Sequence, residues 1–473
     1  MKRVLIALLV AVTCLTANSQ NVFEAKPYLQ LGHHPSGNSL DLLWHSYDKD
    51  QTWVVQYKNG DDSVWQSSTD MSFKKVDISN TGIHRVYSTT LGGLKAGVTF
   101  HYKVLCNDKE VFAADGQSPK SFEQPYRFVA FGDIGAESYD QKLLAKVAYD
   151  EKPDLVMVAG DIVYDYGLIS EYKEKFWPVY NADKANKSGA PLMRSVPFVA
   201  AVGNHDADSR NLDVAPDALA YFMYWKQPLN GPVGKEGGPI VPYLLGSEQN
   251  KNAFLKAAGN NYPGMTNFSF DYANAHWLVL DSDPYVDWTN DSLQRWVSND
   301  LSAAQNATWR FVLFHHPGFS SSRIHFVEQQ MRLLAPLFEK GNVDVVFNGH
   351  VHNYQRSLPL TFVADGNGTL LVGGRNQNIN IGRTVNGNWT LDKKFDGVSI
   401  TKAKGIIYIV TGAGGQDLYN PEQTNKPDTW QEFTDKFIAT VHSLSVIDID
   451  GKTFKFRQLN TNGKVLDEFE LTK

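Results

Sequence analysis

Five apolar runs in this chain end on or just before a residue that can ligate a metal. Phe128-Val129-Ala130-Phe131 leads to Gly132-Asp133, Leu155-Val156-Met157-Val158-Ala159 to Gly160-Asp161, and the run from Phe198 to Val202 to Gly203-Asn204. Phe311-Val312-Leu313-Phe314 leads to His315, and the run from Val343 to Phe347 to Asn348-Gly349-His350. Singly these are weak signals: a Gly-Asp after a strand is usually a turn, and His350-Val351-His352 could be two imidazoles on one face of a strand. Together they offer carboxylate, amide oxygen and imidazole, a donor set suited to a pair of hard to borderline cations. Four of the five place Gly directly before the polar residue, which allows a sharp exit and close approach to a ligand. Such a pair polarises a substrate oxygen and lowers the pKa of bound water from about 15.7 towards about 7, which is the chemistry of metal-assisted hydrolysis. No Gly-x-Ser-x-Gly elbow and no Walker-type lysine accompanies it, so serine acyl transfer and nucleotide-driven motor chemistry lack their motifs.

Donors this far apart in sequence need a scaffold that brings strand ends to one edge, as the carboxyl edge of an α/β sheet does. The runs fit strands buried on both faces, several followed by helical stretches. Residues 126–131 precede a helix expected over 141–150, residues 155–159 one over 170–180, and residues 311–314 one over 327–340. Residues 125–473 therefore read as an α/β domain. Residues 20–124 read as an all-β sandwich of short alternating strands, with segments 40–44, 52–57, 84–91 and 100–105 separated by Gly, Asn, Asp and Pro clusters. The histidines there, His33, His34, His84 and His101, are scattered and read as surface or core residues. Residues 208–265 are rich in Gly, Pro and Asn without clear periodicity, and read as a long insertion near the site.

The 473 residues carry 45 basic and 51 acidic side chains, a formal charge of −6, and are 42% hydrophobic. That composition excludes a disordered or collagen-like chain, and its acidic balance gives no support to nucleic-acid binding as the main role. An anionic substrate must be drawn by local charge. Lys2 and Arg3, the apolar run Val4 to Val12, and Ala17-Asn18-Ser19 read as a signal peptide over residues 1–19, so the expected location is secreted or periplasmic. The run is short of the roughly 20 apolar residues that a membrane span needs, and no other run is long enough, so no transmembrane segment is expected. Cys14 lies inside this leader behind Thr13, which is bulky for a lipoprotein cysteine. Cys106 would then be the one remaining thiol, so no intrachain disulfide forms and the fold rests on its core.

In order along the chain, Gly132-Asp133, Gly160-Asp161-Ile162-Val163-Tyr164, Gly203-Asn204-His205-Asp206, Val312-Leu313-Phe314-His315 and Gly349-His350-Val351-His352 resemble the five-motif signature of the calcineurin-like metallophosphoesterases. Tyr164, three residues after Asp161, is similar to the tyrosine of the purple acid phosphatase branch. Leu94 to Tyr102, with Trp44 as a core aromatic, looks like the turn and buried tyrosine of a fibronectin type III module. Asn267 to Asp271, His276 with Leu278 to Asp281, and Gly412-Ala413-Gly414-Gly415 extend the likeness over nearly all of the mature chain.

The resemblance implies a fibronectin type III-like domain followed by an α/β/β/α sandwich. It implies two metal ions: Fe(3+) held by Asp133, Asp161, Tyr164 and His352, and a divalent Zn, Fe or Mn held by the bridging Asp161 with Asn204, His315 and His350. Their charge against the ligands and a bridging hydroxide leaves about +1 at the site. His205 would contact phosphate, oriented by Asp206, and His325 would face the leaving group as its proton donor. His316 would be either a substrate contact or structural. Asn353-Tyr354-Gln355-Arg356 departs from the family, where an acidic residue often precedes the arginine, which implies altered packing below the site. The implied function is a secreted acid phosphatase that hydrolyses phosphate monoesters by attack of a hydroxide held between the metals. A phosphodiesterase or nucleotidase of the same superfamily is the alternative, decided by residues 208–265 and the loop around Arg323. A surface-binding protein with an idle phosphoesterase domain is a third, against which the complete ligand set argues.

Overall fold

The computed structural model describes residues 22–366 and 384–473, so the leader-like residues 1–19, with Cys14, lie outside the described residues. Two four-stranded antiparallel sheets come first. One orders Phe23–Gln30, Leu40–Tyr47, His84–Leu91 and Ser72–Val76; the other orders Gln66–Ser67, Trp53–Asn59, Thr99–Cys106 and Lys109–Gln117. Alternate residues of these strands point inward, as a two-layer sandwich requires. Trp44 is fully buried there and stacks on Tyr87 with centroids 5.2 Å apart.

Two larger sheets follow. A six-stranded sheet orders Phe198–Ala200, Leu155–Val158, Tyr126–Phe131, Ser443–Asp450, Thr453–Asn460 and Val465–Thr472, its first three strands parallel and the rest an antiparallel meander. A seven-stranded sheet orders Phe268–Tyr272, Ala275–Val279, Trp309–Leu313, Val345–Asn348, Ile407–Thr411, Tyr354–Ser357 and Thr434–Ile438, with a parallel run from Ala275–Val279 to Ile407–Thr411. The sheets pack face to face: the Phe128 ring lies 5.1 Å from Trp277 and 5.7 Å from Phe311. Helix Tyr139–Asp150 covers the outer face of the first sheet, and Asp291–Ala303 and Ala335–Lys340 that of the second. The α/β/β/α layering expected from the sequence is thus present.

The apolar runs are continuous because both faces of each strand are buried. Phe128, Ala130, Leu155, Met157, Phe311 and Leu313 face the core between the sheets. Their neighbours Val129, Phe131, Val156, Val158 and Val312 face the helices. Period-2 geometry then gives no polar position until the strand ends, where the ligands stand.

Three expected elements differ in detail. The helix expected over 170–180 runs as Ile169–Glu171, a π-helical stretch Tyr172–Phe176 and Trp177–Tyr180. The one expected over 327–340 begins as a 3₁₀ turn, Gln330–Leu334, and becomes α-helical only at Ala335–Lys340. Residues 208–265 hold helices Ala220–Tyr224 and Glu248–Ala258 and an irregular turn at Asn261–Gly264. All five residues of Ala220–Tyr224 are buried, so that helix has no polar face and shows no amphipathic period.

The sandwich is bonded to the second domain. Tyr28 Oη donates to the Tyr224 carbonyl at 2.7 Å, Tyr224 Oη pairs with His84 Nε2 at 2.9 Å, and Tyr102 Oη donates to the Arg194 carbonyl at 2.8 Å. His33 pairs with the Gln227 carbonyl at 2.7 Å. His33 and His84 thus serve the domain interface.

Candidate metal centre

All five ligand-bearing segments leave their strands at one edge, shared by the two sheets. The turns are tight: Asp133, Asp161 and His350 have φ of 60°, 50° and 65°, in the left-handed region. A Cβ on Gly349 would stand 2.4 Å from the Ala159 carbonyl oxygen and 2.8 Å from Asp133 Oδ2. One on Gly203 would stand 2.3 Å from Asp161 Oδ1. Glycine is therefore required at both by the approach of neighbouring ligand segments.

Tyr164 Oη donates to Asp133 Oδ1 at 2.9 Å, lies 3.0 Å from Asp161 Oδ2 and stands 3.2 Å from His352 Nε2. His315 Nε2 lies 3.1 Å from Asn204 Oδ1 and 3.2 Å from Asp161 Oδ2. Ligand atoms of Asp161, His315 and His350 lie within 4.8 Å of one another, and all three residues are buried. Donors about 2.0 to 2.2 Å from one ion stand about 3 Å apart along a coordination edge, so these spacings suit two ions that share Asp161. Backbone carbonyls fix the far ring nitrogens: His315 Nδ1 pairs with Ala159 and His352 Nδ1 with Asp417, each at 2.8 Å. That leaves Nε2 of both rings facing inward, the usual outer support of a metal-binding histidine.

The electrostatics point the same way. Burial raises the Asp161 carboxyl, but the imidazoles of His315, His205 and His350 outweigh it and hold the group low. Burial lowers His315, while Asp161 more than offsets this and pushes it up to about 9. Burial, with Asp133 and Asp161 beside it, pushes the Tyr164 phenol well above its ordinary value. A phenolate there needs a strong cation next to it.

The remaining expected residues surround this centre. His205 is partly exposed, its ring 4.4 Å from that of Tyr164, and its Nδ1 pairs with the Asp165 carbonyl at 2.7 Å. Asp206 does not orient it, contrary to the sequence expectation. Its carboxylate accepts from the backbone of Gly203 at 3.0 Å and Ile162 at 3.1 Å. The reason is helical geometry: Asp206 is the third residue of the turn Asn204–Ala207 and caps its start, while His205 projects elsewhere. His316 is 1% exposed, pairs with Ser282 Oγ at 3.0 Å and packs on His350 with centroids 4.1 Å apart. His325 also packs on His350 at 4.1 Å. Arg356 pairs with Asp467 and Asp435, each at 2.7 Å, so its carboxylates come from elsewhere in the chain than the preceding residue.

Sequence reasoning missed Glu328. Its Oε2 lies 2.7 Å from His350 Nε2 and its Oε1 3.2 Å from His325 Nδ1, so one carboxylate joins the two rings. A His-x-x-Glu spacing from His325 was the available signal. It also missed Tyr419, whose ring stacks on His352 at 4.0 Å, and Asp283, a fully buried carboxyl 3.9 Å from His316.

The calcineurin-like phosphoesterase family matches residues 126–354. Purple acid phosphatase 18 of Arabidopsis thaliana is 26% identical over 326 residues, covering 67% of this chain and 63% of that protein. Purple acid phosphatase 1 of Ipomoea batatas is 26% identical over 344 residues, covering 69% and 63%. The chain thus spans 63% of the length of these two relatives. Among solved structures, the purple acid phosphatase PPD1 of yellow lupin (Lupinus luteus) seeds superposes with a TM-score of 0.64 at 17% identity, covering 94% of this chain and 74% of that one. PhoD gives 0.58 at 12% identity, covering 96% and 91%. Residues 126–354 form a calcineurin-like phosphoesterase domain, and purple acid phosphatases are relatives over 67% to 69% of the chain.

Proposed function

We propose that this chain is a dinuclear-metal phosphatase that hydrolyses phosphate monoesters outside the cytoplasm. The observation that carries the proposal is Tyr164 Oη set among Asp133, Asp161 and His352 at 2.9 to 3.2 Å, next to a second group of donors sharing Asp161. Asp133, Asp161, Tyr164 and His352 would hold a ferric ion, and Asp161, Asn204, His315 and His350 a divalent one. When bound, the pair polarises the phosphoryl oxygens and activates water. The leader-like residues 1–19 support a secreted or periplasmic location, and no helix of the described residues is long and apolar enough to cross a membrane.

The chain's own groups do the rest. His205, fixed through Nδ1 by the Asp165 carbonyl, presents Nε2 to a phosphoryl oxygen. His325 Nδ1 stands 3.2 Å from Glu328 Oε1, so Nε2 is the nitrogen that would protonate the departing alkoxide. Elemental analysis of the purified protein, together with its rates on phenyl phosphate and a bis-aryl phosphodiester, tests the proposal. Two ions per chain and a preference for the monoester are expected. A preference for the diester would replace the monoesterase reading with the diesterase one, and no hydrolysis of either ester by the two-ion protein would remove both.

A further inference from the structure

A cleft of about 1050 Å³ opens beside the proposed centre. Its walls come from the chain that leaves two ligand segments, Tyr166 just after Tyr164 and Asp208 at the end of the helical turn carrying Asn204 and His205. The far wall includes Tyr243 from within residues 208–265, and Asn80 from the sandwich closes one side. The Asp165 carbonyl, one residue before Tyr166, pairs with His205 Nδ1 at 2.7 Å, which sets this end of the cleft next to the centre.

The lining has a definite chemistry. Tyr166 and Tyr243 are 57% and 64% exposed, so each offers a ring face to a ligand. Between them lie hydrogen-bonding groups of both kinds. Arg210 has a buried Nε without a hydrogen-bond partner, its guanidinium 5.6 Å above the Tyr285 ring. Asp217 takes two bonds from Ser170, both on Oδ2. Two carboxylates against one guanidinium leave the lining slightly acidic, which disfavours a leaving group with further phosphates. Exposed ring faces with mixed carboxylate, amide and guanidinium groups instead suit an uncharged ring rich in hydroxyls.

We propose that this cleft receives the alcohol part of the substrate and that this part is a sugar ring, free or within a nucleoside. The proposal rests on the phosphatase reading and gives residues 208–265, with Asn80, the task of choosing the substrate. The sandwich would then contribute to specificity as well as to folding.

The test compares kcat/KM of the metal-loaded protein for glucose 6-phosphate, adenosine 5′-monophosphate and propyl phosphate, whose departing alcohols are similarly basic. At least one sugar-bearing ester should exceed propyl phosphate by about tenfold, and Tyr243→Ala should lower that ratio by about tenfold, the range of one ring stacking contact. Arg210→Gln should lower the same ratio. Preference for both sugar esters identifies the sugar ring itself; preference for the nucleotide alone identifies the nucleoside source. Equal rates on all three esters, or a ratio unmoved by both substitutions, would overturn the proposal. Calorimetric titration with glucose and with adenosine separates the two levels of inference. Binding that Tyr243→Ala weakens, without turnover of any ester, would sink the phosphatase reading and keep the cleft, whereas turnover without binding of either would do the reverse.

Discussion

The phenolic oxygen of Tyr164 donates to Asp133 Oδ1 across 2.9 Å, although 31 residues separate the two. Both residues follow the ends of adjacent parallel strands, so strand pairing sets this contact and local sequence does not. Burial and two carboxylates keep the phenol protonated unless a cation displaces the proton. Iron-loaded, oxidised protein should therefore absorb in the visible through a phenolate-to-iron band, and Tyr164→Phe should bleach it. An active, colourless, iron-free wild type would show that the centre takes two divalent ions and that Tyr164 serves another purpose.

Asp161 is the one carboxylate shared by both groups of donors, and its Oδ1 also accepts from the His205 backbone at 2.9 Å. Its φ of 50° makes alanine an ambiguous replacement; Asp161→Asn keeps the shape and tolerates the left-handed backbone. Removing the shared charge should cost more metal affinity than the 10- to 100-fold or so typical of an outer-shell partner. Metal content should fall from two ions towards none with unchanged circular dichroism. Two retained ions would put the bridge elsewhere.

The legible part of the site was the part written at strand ends. Asp133, Asp161, Asn204, His315 and His350 each follow an apolar run that is continuous because both strand faces are buried, so sequence and geometry mark the same positions. Glu328 left only its spacing from His325 as a signal, because it sits in an irregular stretch before the Gln330–Leu334 turn, where no period applies, and reaches His350 through the tertiary fold. The role given to Asp206 failed for a local reason, since a residue at the third position of a helical turn is drawn to the turn's own free N–H groups. Within residues 208–265 the helix Ala220–Tyr224 was hidden because Tyr221, Phe222, Tyr224 and the following Trp225 are buried on every side.

A fragment beginning at Pro125 tests what the sandwich does. It would expose the face where Tyr28, His45 and His84 meet Trp177 and Tyr224, including the Tyr28–Trp177 contact at 4.7 Å and the His45–Tyr224 contact at 4.3 Å. Aggregation of most of the fragment is expected, because a contiguous aromatic patch of this kind rarely stays exposed. The soluble remainder should still bind metal, since every proposed ligand lies after residue 125; a folded, metal-free remainder would contradict the assignment.

His276 gives a pH signature independent of the centre. Burial lowers its pKa, but Asp271 and Asp300, each 2.8 Å from a ring nitrogen, push it up to about 9. The folded value exceeds the unfolded value of about 6.5, so the charged pairings contribute fully below about 6.5 and are lost as pH rises through about 9. Thermal unfolding of the wild type and His276→Gln should differ most at pH 6 and converge by pH 10. A difference constant with pH would mean that His276 acts through packing alone.

His325 carries the last prediction. Its Nδ1 stands 3.2 Å from Glu328 Oε1 and its ring packs on His350, which fixes its orientation at the rim. General acid catalysis contributes about 10² to 10⁴ in rate, and only where the leaving oxygen needs a proton. His325→Asn, which accommodates the φ of 62°, should therefore slow an alkyl phosphate by about that factor and para-nitrophenyl phosphate far less. His205→Ala should slow both esters alike, since a contact to the phosphoryl group is indifferent to the alcohol that leaves. Equal losses on the two esters in His325→Asn would take the acid away from His325 and leave its bond to Glu328 as support for His350.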